Sequence, residues 1–109
     1  MIRGILAISM VGIAAAALPG IAWASDVVIH NPSWNQVTIE VRVGNNGDCN
    51  QNIVYNTFHL TRGGAATVNT NGEDVCWRRE TNPDHPNGAW TTWTRQSVGS
   101  PQSHYDVNV

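Results

Sequence analysis

The chain of 109 residues contains no lysine; its cations are Arg3, Arg42, Arg62, Arg78, Arg79 and Arg95, and they form no basic run. Nucleic-acid affinity comes mainly from clustered Lys and Arg set against phosphates, so a nucleic-acid partner is not expected. The same scarcity removes the polybasic patch that holds a protein to an anionic membrane surface. The chain also lacks a Cys-x-x-Cys pair, a zinc-ligand spacing and a Gly-x-Ser-x-Gly turn. A redox couple, a structural zinc site and a hydrolase nucleophile elbow therefore have no local support. The acidic turns near Asp48 and at Glu73-Asp74 lack the alternating carboxylates of a calcium loop. No metal, cofactor or catalytic residue is expected. There are no repeats and no Asn-x-Ser/Thr acceptor, since Pro32 spoils Asn31-Pro32-Ser33.

What is present begins with an export pattern. Arg3 precedes an apolar run from Ile5 to Leu18, then Pro19-Gly20 and the small-x-small triplet Ala22-Trp23-Ala24. That order predicts a secretory signal peptide over 1–24, cleaved after Ala24. The run is shorter than the ~20 apolar residues of a bilayer span, so no membrane span is expected in the mature form. The mature chain, 25–109, is one domain of about 85 residues with a thin core. All eight acidic residues but only five of the six arginines lie within it, so it is mildly acidic. A secreted or periplasmic location follows from the same signal.

Cys49 and Cys76 are the only cysteines, and both fall in the mature chain. In an oxidising compartment they predict one disulfide. Closing a loop of that length stabilises by about 3–4 kcal/mol in the chain-entropy picture.

After the signal no helical periodicity appears, and short strand patterns alternate with turn residues. Residues 36–43 carry Val37, Ile39, Val41 and Val43 alternating with Thr38, Glu40 and Arg42, a half-buried strand. Further strands are expected around Val27–Ile29, 53–60, 65–70, 73–80, 89–95 and 103–109. Along 53–60 the inward candidates are Val54, Phe58 and Leu60, with Asn56 an awkward fourth. Asn71-Gly72 predicts a hairpin in which Val68 faces Val75 and Ala66 faces Trp77, leaving Cys76 on the opposite side. About seven short strands predict a small all-β, antiparallel β-sandwich. It is immunoglobulin-like at most, because no Trp lies between Cys49 and Cys76.

Four tryptophans lie beyond residue 24: Trp34, Trp77, Trp90 and Trp93. Trp77 shares a side with Val68 and Val75 and is expected inside. Trp90 and Trp93 are three apart, so on a regular strand they point to opposite faces and at least one stays outside. Trp34 falls in a turn. Exposed indoles stack on sugar rings or enter protein interfaces. Trp34, Trp90 and Trp93 are therefore the candidate ligand-binding residues of a non-enzymatic module that recognises a glycan or cell-envelope component. The indoles could instead cap the open ends of a thin sandwich. A protein-interaction factor using an edge strand or loop is the alternative function. A small hydrolase built on Asp84-His85 or on His104 with Asp106 is a third. Arg78 and Arg79 are adjacent on a strand and point apart, which favours a solvated face or a cross-strand ion pair over an anion fork.

Overall fold

Alternating burial organises the domain from its first strand. In the computed structural model, which describes residues 25–99 and 103–109, β1 is Ser25–His30 and buries Ser25, Val27 and Ile29 while Asp26, Val28 and His30 turn outward. The remaining elements are β2 (Gln36–Val43), a 3-10 turn (Cys49–Gln51), β3 (Ile53–Thr61), β4 (Ala65–Thr70), β5 (Val75–Arg79), β6 (Thr94–Gln96) and β7 (His104–Asn108). They form two sheets, β4-β1-β7 and β3-β2-β5-β6. The expected seven-stranded β-sandwich is thus the fold. The expected signal peptide at 1–24 and its cleavage after Ala24 lie outside the described residues.

The core is the meeting of the two inner faces. Val27, Ile29, Ala66 and Val68 come from one sheet; Val37, Ile39, Val41, Leu60, Val75 and Trp77 come from the other, and Val98, beyond β6, joins them. Small β-branched residues dominate because only the alternate positions of short strands face inward. Trp77 is buried, as its company with Val68 and Val75 implied.

Four expectations are corrected. The Asn71-Gly72 turn does not close a hairpin: β4 pairs with β1, from Ser25↔Thr70 to His30↔Ala65, and β5 pairs with β2 and β6. The turn carries the chain from one sheet to the other, with Gly72 at φ 87° and the Thr70 hydroxyl donating to the Glu73 carbonyl while accepting from its amide. Val68 and Val75 do share a core, but across the sandwich and not across a ladder. Alternation is identical in the two arrangements, so it could not separate them. Second, the sheets are not wholly antiparallel, because β7 runs parallel to β1, Asp26↔His104 to His30↔Asn108. Third, Val54 is exposed at 53%. The β2–β3 register slips between Val41 and Arg42, so that Val41 faces Asn56 while Arg42 faces Val54. Tyr55 is the extra residue, and it turns Val54 to the outer side. Fourth, residues 89–95 are not one strand: Trp90 makes a single bridge to Glu80, and regular pairing starts at Thr94.

The disulfide Cys49–Cys76 is formed, with Cα atoms 6.0 Å apart. It does not cross the core. Cys76 sits opposite Arg42 and Arg95 on the outer side of β5, and the bridge ties the 44–52 loop down over that side. Asn52 organises this loop, accepting from the Asn46 amide at 3.0 Å and donating to the Gly44 carbonyl at 3.3 Å. A side chain at position 44 would meet Asn52 Oδ1 at 2.5 Å, so glycine is needed there.

Candidate functional site

The outer face of the four-stranded sheet is laid out in rows by strand register. His59 on β3 pairs with Thr38 on β2, the Glu80 amide donates to the Thr38 carbonyl at 3.1 Å, and Glu80 bridges to Trp90. The next row runs Thr57, Glu40, Arg78 and ends at Trp93. The third carries Arg42, Cys76 and Arg95.

The two tryptophans reach this face together because of a one-residue slip. Trp77 pairs with Thr94, yet Glu80 pairs with Trp90, so three steps along β5 oppose four along the returning segment. The extra residue is a β-bulge, and it reverses side-chain parity between positions 93 and 90. The expectation that Trp90 and Trp93 point to opposite faces is therefore overturned. Both flank Arg78, whose guanidinium lies 5.1 Å from the Trp90 ring centroid and 4.4 Å from that of Trp93. Arg42 stands 5.5 Å from the Trp93 ring.

One carboxylate holds both cations. Arg78 donates through Nε and Nη2 to Glu40 Oε1 at 2.9 and 2.7 Å. Arg42 donates through Nε and Nη2 to Glu40 Oε2 at 3.1 and 3.0 Å. Burial alone would push the Glu40 carboxyl up, but the hydrogen bonds and charges of Arg78 and Arg42 together outweigh it and hold the group below its ordinary value. Of the two expected roles, a solvated face or a cross-strand ion pair, Arg78 takes the ion pair, while Arg79 turns away to another neighbour.

The disulfide-tied loop completes the face. Trp93 Nε1 donates to Asn50 Oδ1 at 3.0 Å, and Arg42 Nη1 donates to the Asn50 carbonyl at 2.9 Å. Arg95 clamps the loop's other end, donating to Asp74 Oδ2 at 2.9 Å and to the Asn46 carbonyl at 2.7 Å. The Val98 amide, working against burial and helped by Arg95, keeps the Asp74 carboxyl below its usual range. The result is a partly buried layer of two indoles and two guanidiniums whose orientations are fixed by neighbours on several sides.

Compared with protein-family models, with curated proteins and with solved structures, the chain matches none.

Trp34 does not join this face. The buried side chain of Asn31 accepts from the Trp34 amide and donates to its carbonyl, both at 3.0 Å. The Trp34 ring packs against the core and lies 4.6 Å from the Arg79 guanidinium. Arg79 also lines a cavity of about 200 Å³ with Trp77, Thr91, Thr94 and Val109. Trp34, Trp90 and Trp93 are each half-buried, so the three candidates occupy two places.

The histidines divide likewise. On the outer face of the three-stranded sheet, His104 Nδ1 meets Asp26 Oδ1 at 3.0 Å, His104 Nε2 meets Asp106 Oδ2 at 3.0 Å, and His30 Nε2 meets Asp106 Oδ1 at 2.8 Å. With a carboxylate on each ring nitrogen, both must donate, which favours the imidazolium. Asp26 first and Asp106 second raise the His104 pKa above its ordinary value. His30, then His104, lower that of Asp106. In the 81–88 loop the His85 amide bonds to the Asn82 carbonyl at 3.1 Å. Among the described residues, no set of three or more His, Cys, Asp or Glu is arranged to hold a metal ion, and no helix is long and apolar enough to cross a membrane.

Proposed function

We propose that this chain is an exported, non-enzymatic binding module that recognises a glycan or another cell-envelope component across the outer face of the four-stranded sheet. The observation that carries the reading is the gathering of Trp90 and Trp93 on one face, either side of Arg78. Indole rings stack on the apolar faces of sugars, and neighbouring N–H groups serve the hydroxyls. Rings already fixed by guanidiniums and the tied loop lose little freedom on binding, which favours affinity. Export rests on the 1–24 pattern, and the disulfide suits an oxidising compartment. Trp34 stands apart with Arg79 and is not counted among the contact residues of this face.

Glycan arrays probed with the wild type and single variants test the reading. Trp90→Ala and Trp93→Ala should each weaken binding about tenfold or more, while Trp34→Ala should bind like the wild type. A wild type that binds no glycan, or variants that bind as well as it does, would sink the proposal.

A protein partner is the second reading, favoured by one observation. Strand β3 is an edge strand without a charged carboxylate, lysine or arginine along Ile53–Thr61, and it exposes Ile53 at 79% and Val54 at 53%. Uncharged edges of this kind accept an added strand. Val54→Lys should abolish recovery of a single stoichiometric protein from envelope extract, and unchanged recovery would count against the edge.

A further inference from the structure

Within this same face one acidic side chain has a different standing from Glu40. Glu80 is only 7% exposed, and its Oε1 is buried without a hydrogen-bond partner among the described residues. Buried carboxylates nearly always have donors, because burial strips the charge of water and nothing else replaces it.

Several of the donors around it are engaged elsewhere. Directly opposite side chains on a ladder sit roughly 5 Å apart at Cβ, so Glu80 is flanked by Thr38 on one side and Trp90 on the other. The Thr38 hydroxyl is 2.8 Å from His59 Nδ1, and His59 Nε2 is 3.3 Å from Gln36 Oε1. With His59 donating to Gln36, its Nδ1 takes the Thr38 proton, which is then not available to Glu80. Arg78 sends Nε and Nη2 to Glu40. Arg79 Nη1 donates to the main-chain carbonyls of Glu80 and Thr81, not to the carboxylate.

We propose that Glu80 and Trp90 form a subsite for a protonated primary amine carried on a sugar ring, as in a de-N-acetylated amino sugar. The proposal rests on the glycan reading of the Trp90 and Trp93 face and names the ligand chemistry at one end of it. A carboxylate withdrawn from water gains most from a donor that also brings a positive charge. An adjacent indole attracts the same cation through its ring face. A metal ion would need more ligands than this single carboxylate supplies.

Calorimetric titration of the oxidised protein with a tetramer of β-1,4-linked glucosamine and with its fully N-acetylated counterpart tests this, at a pH where the amines are protonated. The wild type should prefer the amine form by about tenfold. Glu80→Gln should lose that preference while binding the acetylated tetramer as before, and Glu80→Asp, which keeps the charge, should retain part of it. Circular dichroism of each variant checks that the fold is kept. Equal wild-type affinity for the two tetramers, the result expected if an ordered water alone serves Oε1, overturns the subsite, as does a preference that survives Glu80→Gln. If the acetylated tetramer binds through Trp90 and Trp93 without any preference, the glycan face stands and only this subsite falls. If neither tetramer binds, the subsite falls too, and the array decides the wider reading.

Discussion

The two outer faces of the sandwich both carry ionic arrays, built on opposite principles. On the four-stranded sheet the array is built on guanidiniums paired with the Glu40 carboxylate, with Glu40 13% and Arg78 23% exposed, locked between indoles and a tied loop. On the three-stranded sheet they are imidazoles and carboxylates, with His104 55% and Asp106 57% exposed. Arginine keeps its charge at every relevant pH and has a flat surface that stacks, so the first array is a fixed platform. Histidine titrates near neutrality, so the second changes strength with the proton concentration. A ligand-binding role suits the face whose geometry does not vary, and that difference, more than the count of charges, separates the two.

Three measurements press on this contrast. The largest effect should come from removing the disulfide. Cys49→Ser with Cys76→Ser frees a link spanning 27 residues and should cost about 3.5 kcal/mol in urea unfolding. Near-ultraviolet signals of Trp93 should change, because its partner Asn50 lies in the released loop. The His104 titration should not move. A shifted His104 midpoint would mean that the two faces are coupled.

Glu40→Gln comes next, at about 2 kcal/mol, since two partly buried guanidiniums lose their shared counter-charge. Because the folded-state pKa of Glu40 is depressed, its stabilisation is present above its ordinary pKa of 4.5 and is lost as the pH falls through the lowered value. Thermal unfolding of wild type and variant should therefore differ at neutral pH and converge in acid. A constant difference down to strongly acidic pH would contradict the ion-pair account.

The smallest effect belongs to the exposed histidine array. The folded-state pKa of His104 is raised above 6.5, so its contribution is complete below that value and disappears as the pH rises through the raised one. Asp106 has the opposite sense: its contribution is present above 3.8 and is lost as the pH falls through its depressed value. Nuclear magnetic resonance titration of the His104 ring should show the midpoint dropping in Asp26→Asn and, by less, in Asp106→Asn. A midpoint unmoved by both variants would remove the array as a proton-responsive element.

Strand existence was legible in the sequence wherever alternation was regular. Residues 36–43 read as a half-buried strand from Val37, Ile39 and Val41 alone, and that is β2. Trp77 was legible as core because its parity matched Val68 and Val75. The failures cluster where parity is interrupted. Tyr55 and the extra residue between Trp90 and Thr94 are bulges, and a bulge leaves no compositional mark while reversing every side chain beyond it. So alternation alone places Val54 inward and sets Trp90 and Trp93 on opposite faces. The Asn71-Gly72 turn failed differently: its chemistry specifies a tight reversal, not which sheet the departing strand joins. Of the candidate site, the aromatic residues were visible in the sequence. Their common partner Arg78 reads in the sequence only as a solvated or ion-paired charge, and nothing marks Glu80.

The placement of β1 bears on how the chain reaches its folded state. It is the middle strand of its sheet, and one of its two neighbours, β7, lies 78 residues further along. During synthesis β1 emerges first and must wait for the last strand before both of its sides are covered. Contacts of such sequence separation slow folding, and the waiting strand offers an open ladder meanwhile. The three-stranded sheet therefore closes only when β7 reaches β1, which makes the pairing of these two strands one of the slower contacts to form.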